Sequence, residues 1–260
     1  MSLKEKIKQL SASKYFPLRL IYYSLKPCWW LLRLFKDSRY RSEMVTRLKY
    51  GKQYHQGSVF TVPERYPHLF AAAANYLGTV HKPAILSFGC STGEEVFTLS
   101  KYLPGALITG VDINEWCIKQ CKKKYPDNNF FFCHRLSPEF TAAGNFDAIF
   151  CMAVFQRTGN RLNKDNSIAM GFTFRQFEDE IMLLNDKLKP GGLLVIDNAD
   201  FSFTDTLCAA HYTPLSFENN QAVRRRPLFD KNNKKIAETQ DNYRVFVKNK
   251  QNSFGLSLSA

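Results

Sequence analysis

Five short apolar runs punctuate the chain, each followed by an amphipathic or polar stretch. They are Ala84 to Phe88, Leu107 to Asp112, Asn129 to Cys133, Phe146 to Cys151 and Leu193 to Asp197. Runs of that length suit strands buried on both faces of a parallel sheet. The stretches between them read as helices. Glu94 opens one, with Val96, Phe97, Leu99 and Leu103 as its apolar positions. Glu115 to Lys124 is a second, stopped by Pro126. Phe172 to Leu188 is a third, and Lys189-Pro190-Gly191-Gly192 turns it into the fifth strand. Strand and helix alternate, which predicts an α/β sheet with crossover helices. The tail changes character. Arg225 to Phe229, a turn at Asp230 to Lys234, and Tyr243 to Lys248 predict an antiparallel pair.

Upstream of the first strand the pattern differs. Tyr15 to Phe35 is apolar and aromatic, with Arg19, Lys26 and Arg33 at intervals of seven. Pro17 and Pro27 suit two short helices, each with its proline near the start. No run of eighteen uncharged apolar residues occurs, so a transmembrane helix is not expected. Asp37 to Gln56 is charged and helix-compatible, Gly57 to Tyr66 reads as a loop, and Pro67 to Leu77 as a helix burying Leu69, Phe70, Ala73 and Ala74. The formal net charge is +13 over 260 residues. Residues 1 to 53 hold thirteen Lys/Arg and three Asp/Glu, a balance of +10. The basic character therefore belongs to the leading segment. We divide the chain into residues 1–56, a basic and aromatic helical segment, and 57–260, an α/β domain. The segment reads as a cap over the domain, as an interfacial element with Trp29, Trp30, Tyr22 and Tyr23 at lipid headgroups, or as a nucleic-acid contact. The last is disfavoured, because no binding module accompanies the charge. Seven Cys lack any C-x-x-C spacing, which suits reduced thiols in a cytoplasmic protein, one that the segment would place at a membrane surface.

Candidate chemistry gathers after the first strand, in Phe88-Gly89-Cys90-Ser91-Thr92-Gly93-Glu94-Glu95. Thr92 with Glu95, and Ser91 with Glu94, have capping-box spacing. A dinucleotide fingerprint needs glycines where Ser91 and Glu94 stand, and Glu94 would repel a pyrophosphate. No G-K-[ST] follows, so a phosphate P-loop is excluded too. A ligand with an adenosine, no phosphate and its own ammonium tolerates the acid, and S-adenosylmethionine is one. Asp112 ends the second strand 23 residues after Gly89, close to the spacing at which an acid meets ribose hydroxyls.

The stretch from about Lys82 to Asp200 resembles the class I S-adenosylmethionine-dependent methyltransferases. Four motifs carry the resemblance: F-G-C-S-T-G-E-E, the acid closing L-I-T-G-V-D, F-D-A-I-F-C-M and L-K-P-G-G-L-L-V-I-D. The first is most similar to the chemotaxis-receptor methyltransferase branch. The resemblance implies a Rossmann-like seven-stranded, mostly parallel sheet with an antiparallel last strand between the fifth and sixth. It implies S-adenosylmethionine as cofactor, held by Phe88, Gly89, Cys90, Ser91, Gly93, Asp112, Ile113 and Met152. His134 to Leu136, after the third strand, would flank the adenine. Thr61 and Arg65 fit a T-x-F-F-R stretch of the chemotaxis branch, but its double Phe is absent, which speaks against methylation of receptor glutamates. Asp197-Asn198 is similar to a magnesium-binding pair in catechol-type enzymes, yet the third ligand is missing and no metal is expected. No N-P-P-Y follows the fourth strand, which disfavours the amino-methylating nucleic-acid enzymes.

The expected function is methyl transfer to a small-molecule, lipid or saccharide acceptor. The alternatives are a protein carboxyl methyltransferase and a non-catalytic cofactor-binding protein at a membrane surface. Gln156, Arg157 and His211 are the candidate catalytic residues, with Asp200 and Tyr212 as further acceptor contacts. A lid is expected over Thr158 to Met170. Peripheral membrane contact would run through residues 15–35. The acceptor and the oligomeric state are not written in the sequence, because fold and cofactor do not fix a substrate.

Overall fold

The alternation of apolar runs builds one sheet, and its order decides where a ligand sits. The computed structural model describes residues 15–51, 53, 56, 58–156, 172–217, 228–236 and 243–250. Its strands are β1 (Ala84–Phe88), β2 (Leu107–Asp112), β3 (Phe130–His134), β4 (Phe146–Met152), β5 (Leu188–Asp197), β6 (Tyr212–Pro214) and β7 (Val245–Lys248). They lie in the order β3-β2-β1-β4-β5-β7-β6. The first five are parallel, and β7 runs antiparallel between β5 and β6. This is the Rossmann-like, mostly parallel sheet expected. The chain leaves β1 in one direction to β2 and β3 and returns to the other side at β4. The crevice at that reversal, beyond the C-terminal ends of β1 and β4, is where such sheets bind ligands.

Period-two alternation feeds two cores. Leu86, Phe88, Ile149, Cys151, Leu194 and Ile196 face one side, where α6 (Pro138–Ala142) and α7 (Phe174–Lys187) supply Phe140, Phe177, Ile181 and Leu184. Ile85, Ile108, Ala148, Phe150, Leu193 and Val195 face the other. There α3 (Pro67–Leu77), α4 (Glu94–Tyr102) and α5 (Glu115–Lys124) supply Leu69, Phe70, Val96, Leu99 and Ile118. Truncating Phe150 or Phe177 to Ala, both fully buried, costs about 3–5 kcal/mol at such sites.

Several expectations are corrected. Residues 16–36 form a single helix, α1 (Phe16–Lys36), with Pro17 in its first turn and Pro27 inside. Pro27 gives no N–H to the carbonyl four residues back, yet the helix continues through it. The Asp37–Gln56 helix is shorter, α2 (Ser38–Tyr50), with Asp37 as N-cap accepting from Tyr40 N at 2.9 Å. Neither capping box forms at α4. Its N-cap is Gly93, at φ +91, with no side-chain cap. β5 begins at Leu188 and carries the Pro-Gly-Gly turn within it. β7 pairs with β5 and β6, and among the described residues an isolated Phe229–Lys235 bridge closes the Asp230 turn. Arg225 and the residues around it lie outside the described residues, as does the Thr158–Met170 lid.

Helix α2 packs on α5. Asn114 Nδ2 donates to Ser42 Oγ at 3.1 Å, and Lys49 Nζ reaches Glu115 at 2.8 Å. The Lys49–Glu115 pair is exposed and contributes little. Helix α1 packs against α2 and leaves Phe16, Leu20, Tyr23, Leu31, Leu32 and Phe35 exposed. Among the described residues, no helix is long and apolar enough to cross a membrane.

Candidate active site

The turn after β1 is built by backbone geometry that few residues tolerate. Gly89 sits at φ +82, and a Cβ there would lie 2.6 Å from Val154 Cγ2. Ser91 is also left-handed, at φ +50. Three bonds hold it. Its N–H donates to Asp112 Oδ2 at 2.9 Å, its hydroxyl to the Val59 carbonyl at 2.8 Å, and its carbonyl accepts Cys121 Sγ at 3.1 Å. The turn is thereby tied at once to β2, to the segment before α3, and to α5.

A cleft of about 260 Å³ opens above this turn. Its floor is Phe88, Gly89, Cys90, Ser91, Asp112, Ile113 and Met152, with Val111 and Ala153 beside them. All the residues predicted to hold the cofactor line it except Gly93, whose backbone starts α4 against Tyr125 and Cys121. Gln53, Gln56 and the stretch from Ser58 to Tyr66 form the facing wall, and Thr61 and Arg65 belong to it. Such a volume lies close to the low end of small-ligand pockets, at roughly 300–1,000 Å³.

Two acids flank the turn. The Asp112 carboxylate accepts from the N–H groups of Ser91 and Asn114, the second at 2.8 Å. Burial raises its pKa, and those two N–H groups pull it back. Glu95 lies in the first turn of α4 and lines the cleft. It accepts Ser87 Oγ at 2.7 Å. Burial pushes its pKa up to about 8, opposed by the Ser87 bond and by the Arg65 guanidinium. The sequence reading gave the ligand-facing role to Glu94. Instead Glu94 turns outward, 2.6 Å from Lys124 Nζ and 2.6 Å from Thr92 Oγ1, because one residue rotates a helix by about 100°.

Beyond β3, Arg135 and Leu136 line the cleft. Arg135 pairs with Glu180 at 2.7 Å and lies over the rings of Phe88 and Phe140. His134 stays out of the lining. Its Nδ1 accepts from Leu136 N, so the proton is assigned to Nε2, which donates to the Ile113 carbonyl at 2.8 Å. That histidine orders the β2 and β3 ends.

At the β4 and β5 ends a polar network closes the cleft. Asn198 Nδ2 donates to the Tyr66 hydroxyl at 3.1 Å and to Asp197 Oδ2 at 2.7 Å. Arg244 lies 3.8 Å from Asp197 Oδ1 and 2.9 Å from His68 Nε2. Asp197 and Asn198 are thus held by protein groups. Among the described residues, no cluster of three His, Cys, Asp or Glu is placed to hold a metal.

The predicted catalytic residues separate. Gln156 lines the cleft. Arg157 lies outside the described residues. His211 is exposed beside β6, its carbonyl accepting from Asn249 N, and does not reach the cleft, because β7 and β5 stand between β6 and β4. Tyr212 spends its hydroxyl on Asn185, and Asp200 is buried away from the lining. Gln56, Tyr66 and Glu95 were missed as site residues. Only Glu95 carried a signal, as the second acid of the turn.

The cleft offers an acid at the β2 end, an aromatic and apolar floor, and the acid Glu95 with the arginine Arg65.

Residues 86–194 match a family model described as a methyltransferase domain. Over that span the chain is similar to methyltransferase domains. A comparison with curated protein sequences matches nothing. Among solved structures, the chain is similar to a TehB-like SAM-dependent methyltransferase from Corynebacterium glutamicum, at 19% identity and a TM-score of 0.40. That alignment covers 69% of this chain and 87% of the other. It is also similar to PKMT2 from Rickettsia typhi in complex with AdoHcy, at 21% identity, a TM-score of 0.36, and 50% of this chain. A SAM-dependent methyltransferase from Thiobacillus denitrificans in complex with S-adenosyl-L-homocysteine gives 20% identity, a TM-score of 0.35 and 58% of this chain. The chain spans 24% of the Rickettsia protein's length and 52% of the Thiobacillus protein's.

Proposed function

We propose that this protein transfers a methyl group from S-adenosylmethionine to a small-molecule, lipid or saccharide acceptor bound in the same cleft. One observation supports the reading: two half-buried acids that line the cleft, Asp112 and Glu95, stand on either side of the left-handed Gly89–Ser91 turn. When bound, the cofactor supplies a methyl carbon made electrophilic by a sulfonium. The chain does the rest by holding and orienting. Asp112, kept in place by two backbone N–H groups, takes ribose hydroxyls. Glu95 and Arg65 take the ammonium and carboxylate of the amino-acid end. Phe88, Cys90, Ile113 and Met152 exclude water and give the sulfonium soft, apolar neighbours. Gly89 lets the ligand approach the backbone closely. Alignment of the reacting atoms then supplies much of the rate. A nicotinamide dinucleotide fits worse, because Glu95 would sit beside its pyrophosphate.

A membrane-surface role for residues 15–35 rests on a separate observation. Helix α1 exposes Phe16, Leu20, Tyr23, Leu31, Leu32 and Phe35 within the segment that carries the +10 balance. We read it as an interfacial element holding the enzyme at an anionic lipid surface.

The cofactor assignment is tested by calorimetric titration with S-adenosylhomocysteine and with NADH, repeated on Asp112→Ala. Micromolar binding of the first, weakened tenfold or more in the variant (about 1.4 kcal/mol), is expected. Binding indifferent to Asp112, or preference for NADH, would refute it.

A further inference from the structure

At one corner of the cleft stand two polar groups whose hydrogen-bonding capacity no group among the described residues takes up in full. Gln56 Nε2 donates to the Ala153 carbonyl at 3.3 Å. Its other amide atom, Oε1, is buried in the cleft wall and accepts from no group among the described residues. The amide cannot be turned round to cure this, because Oε1 would then face the Ala153 carbonyl. A buried acceptor without a partner costs about 1–3 kcal/mol, so a group retained in that state points to a ligand's donor. Tyr66 complements it. Its oxygen accepts from Asn198 Nδ2, so its own O–H is free to give, and none of the described residues receives it. Burial holds its pKa up at about 12, which keeps the hydroxyl a neutral donor.

A short chain of contacts joins the two. Gln56 bonds the Ala153 carbonyl, the Ala153 N–H bonds the Asp197 carbonyl at 2.8 Å, and the next residue, Asn198, bonds Tyr66. This corner lies at the ends of β4 and β5. Asp112 lies at the end of β2, three strand positions from β5, or about 14 Å at the usual spacing. The donor's ribose and the corner therefore occupy opposite ends of one cleft. The charge nearest the corner, Asp197, faces Arg244 at 3.8 Å. Phe60, Val62, Phe70 and Met152 line the space beside it, and Phe60 and Val62 remain exposed at its rim.

We propose that Gln56 and Tyr66 anchor the methyl acceptor, and that they select an uncharged head group able both to give and to take a hydrogen bond, an alcohol, phenol or neutral amine on an apolar or aromatic body. The inference rests on the methyltransferase reading and names the substrate class of that same site. Gln56 Oε1 takes the O–H or N–H of the head group and orients its lone pair. The Tyr66 hydroxyl gives to a second polar atom of the acceptor. A carboxylate or phosphate is rejected, because Gln56 presents an oxygen there and an anion has no proton to give it.

The test uses the full chain saturated with S-adenosylhomocysteine and three matched probes: 4-butylphenol, 4-butylaniline and 4-butylbenzoate. Binding is measured by saturation-transfer NMR and calorimetry on the parent, Gln56→Leu and Tyr66→Phe. The phenol and aniline are expected to bind and the benzoate to bind at least tenfold more weakly. Each variant is expected to weaken the phenol and aniline by about five- to tenfold, while S-adenosylhomocysteine affinity changes less than twofold. Gln56→Asn, which keeps an amide, checks that any loss in Gln56→Leu is chemical rather than a fold defect. It is expected to retain part of the phenol binding. Loss of S-adenosylhomocysteine affinity in either variant would place these residues on the donor and overturn the proposal. So would equal binding of the benzoate, absence of phenol and aniline binding, or indifference to both variants. Failure of the parent to bind S-adenosylhomocysteine at all would instead bring down the methyltransferase reading first, and this inference with it.

Discussion

Glu95 makes a charge prediction that calorimetry reads directly. Its carboxyl is pushed from an ordinary 4.5 to about 8 by burial. At pH 6.5 the free protein therefore holds it about 97% protonated. An α-amino group is still mostly ammonium at that pH. Bringing that cation beside Glu95 favours the ionised carboxyl and lowers its pKa. A fall to about 5.5 releases roughly 0.9 proton for each ligand bound. The assay is titration with S-adenosylhomocysteine at pH 6.5 in buffers of different ionisation enthalpy. The slope of observed enthalpy against buffer enthalpy counts the protons. A slope near one released proton is expected for the parent, and a slope smaller by that amount for Glu95→Gln, which leaves any share from Asp112 in place. The same shift has a stability arm. The folded group keeps its proton where the unfolded one has lost it, so its stabilising share is complete below pH 4.5. That share disappears as pH rises through about 8. At 1.36 kcal/mol per tenfold change in proton affinity the span is on the order of 5 kcal/mol, and about half that after screening at the cleft edge. Glu95→Gln should match the parent at pH 4.5 and exceed it in thermal midpoint at pH 9. A slope unchanged by the substitution, or equal stability at both pH values, would refute the assignment of the ammonium to Glu95.

The remaining predictions address the turn and the leading helix. Gly89→Ala places a Cβ 2.6 Å from Val154 Cγ2 on a backbone at φ +82, and should cost about 2–4 kcal/mol from left-handed strain plus overpacking. Urea unfolding checks this, and a further Val154→Ala substitution should restore only the part due to the clash. Replacing Phe16, Leu20 and Tyr23 together by Ser removes apolar area from the exposed face of α1. Each such side chain contributes about 1.5–3 kcal/mol when fully buried. Co-sedimentation with phosphatidylserine vesicles should fall more than tenfold while S-adenosylhomocysteine binding holds. Binding equal to the parent's, or no vesicle binding by the parent, would remove the lipid reading of α1.

What the sequence disclosed follows from how local each signal is. The β1 strand, its turn and β2 were legible because their pattern is contiguous: a buried run, a left-handed Gly89, and an acid at a fixed interval. The order of the strands was legible too, through the family resemblance. Details fixed by rotation were not. Glu94 and Glu95 are neighbours in sequence and face Lys124 and the cleft respectively, and the rotation of about 100° between adjacent helical residues decides which. The capping boxes failed for a related reason. Gly93 takes the N-cap position in a left-handed conformation, which leaves Thr92 free to bond Glu94. His211 was placed near the ligand because it follows β5 in sequence, but β6 lies at the sheet's outer edge. Gln56 and Tyr66 gave no signal, because each acts through a partner 97 or 132 residues away.

The position of those two residues bears on why the cofactor was readable and the acceptor was not. The matched methyltransferase span runs from residue 86 to 194 and contains the cleft floor, with Gly89, Asp112 and Met152. The facing wall, Gln53, Gln56 and the stretch from Ser58 to Tyr66 with Phe70, precedes it. That wall is held by contacts that a related domain need not share: Ser91 Oγ on the Val59 carbonyl, Gln56 on Ala153, Tyr66 on Asn198. On the proposed reading, donor chemistry is written in the sheet and acceptor choice in the segment that this chain folds over it. Helices α1 and α2 lead directly into that segment and rest on α5 through Ser42 and Lys49. A protein can change its acceptor by altering residues 53–70 while Asp112 and the Gly89 turn stay as they are. Substitutions in the wall should consequently move acceptor affinity without moving S-adenosylhomocysteine affinity, and substitutions in the turn should do the reverse.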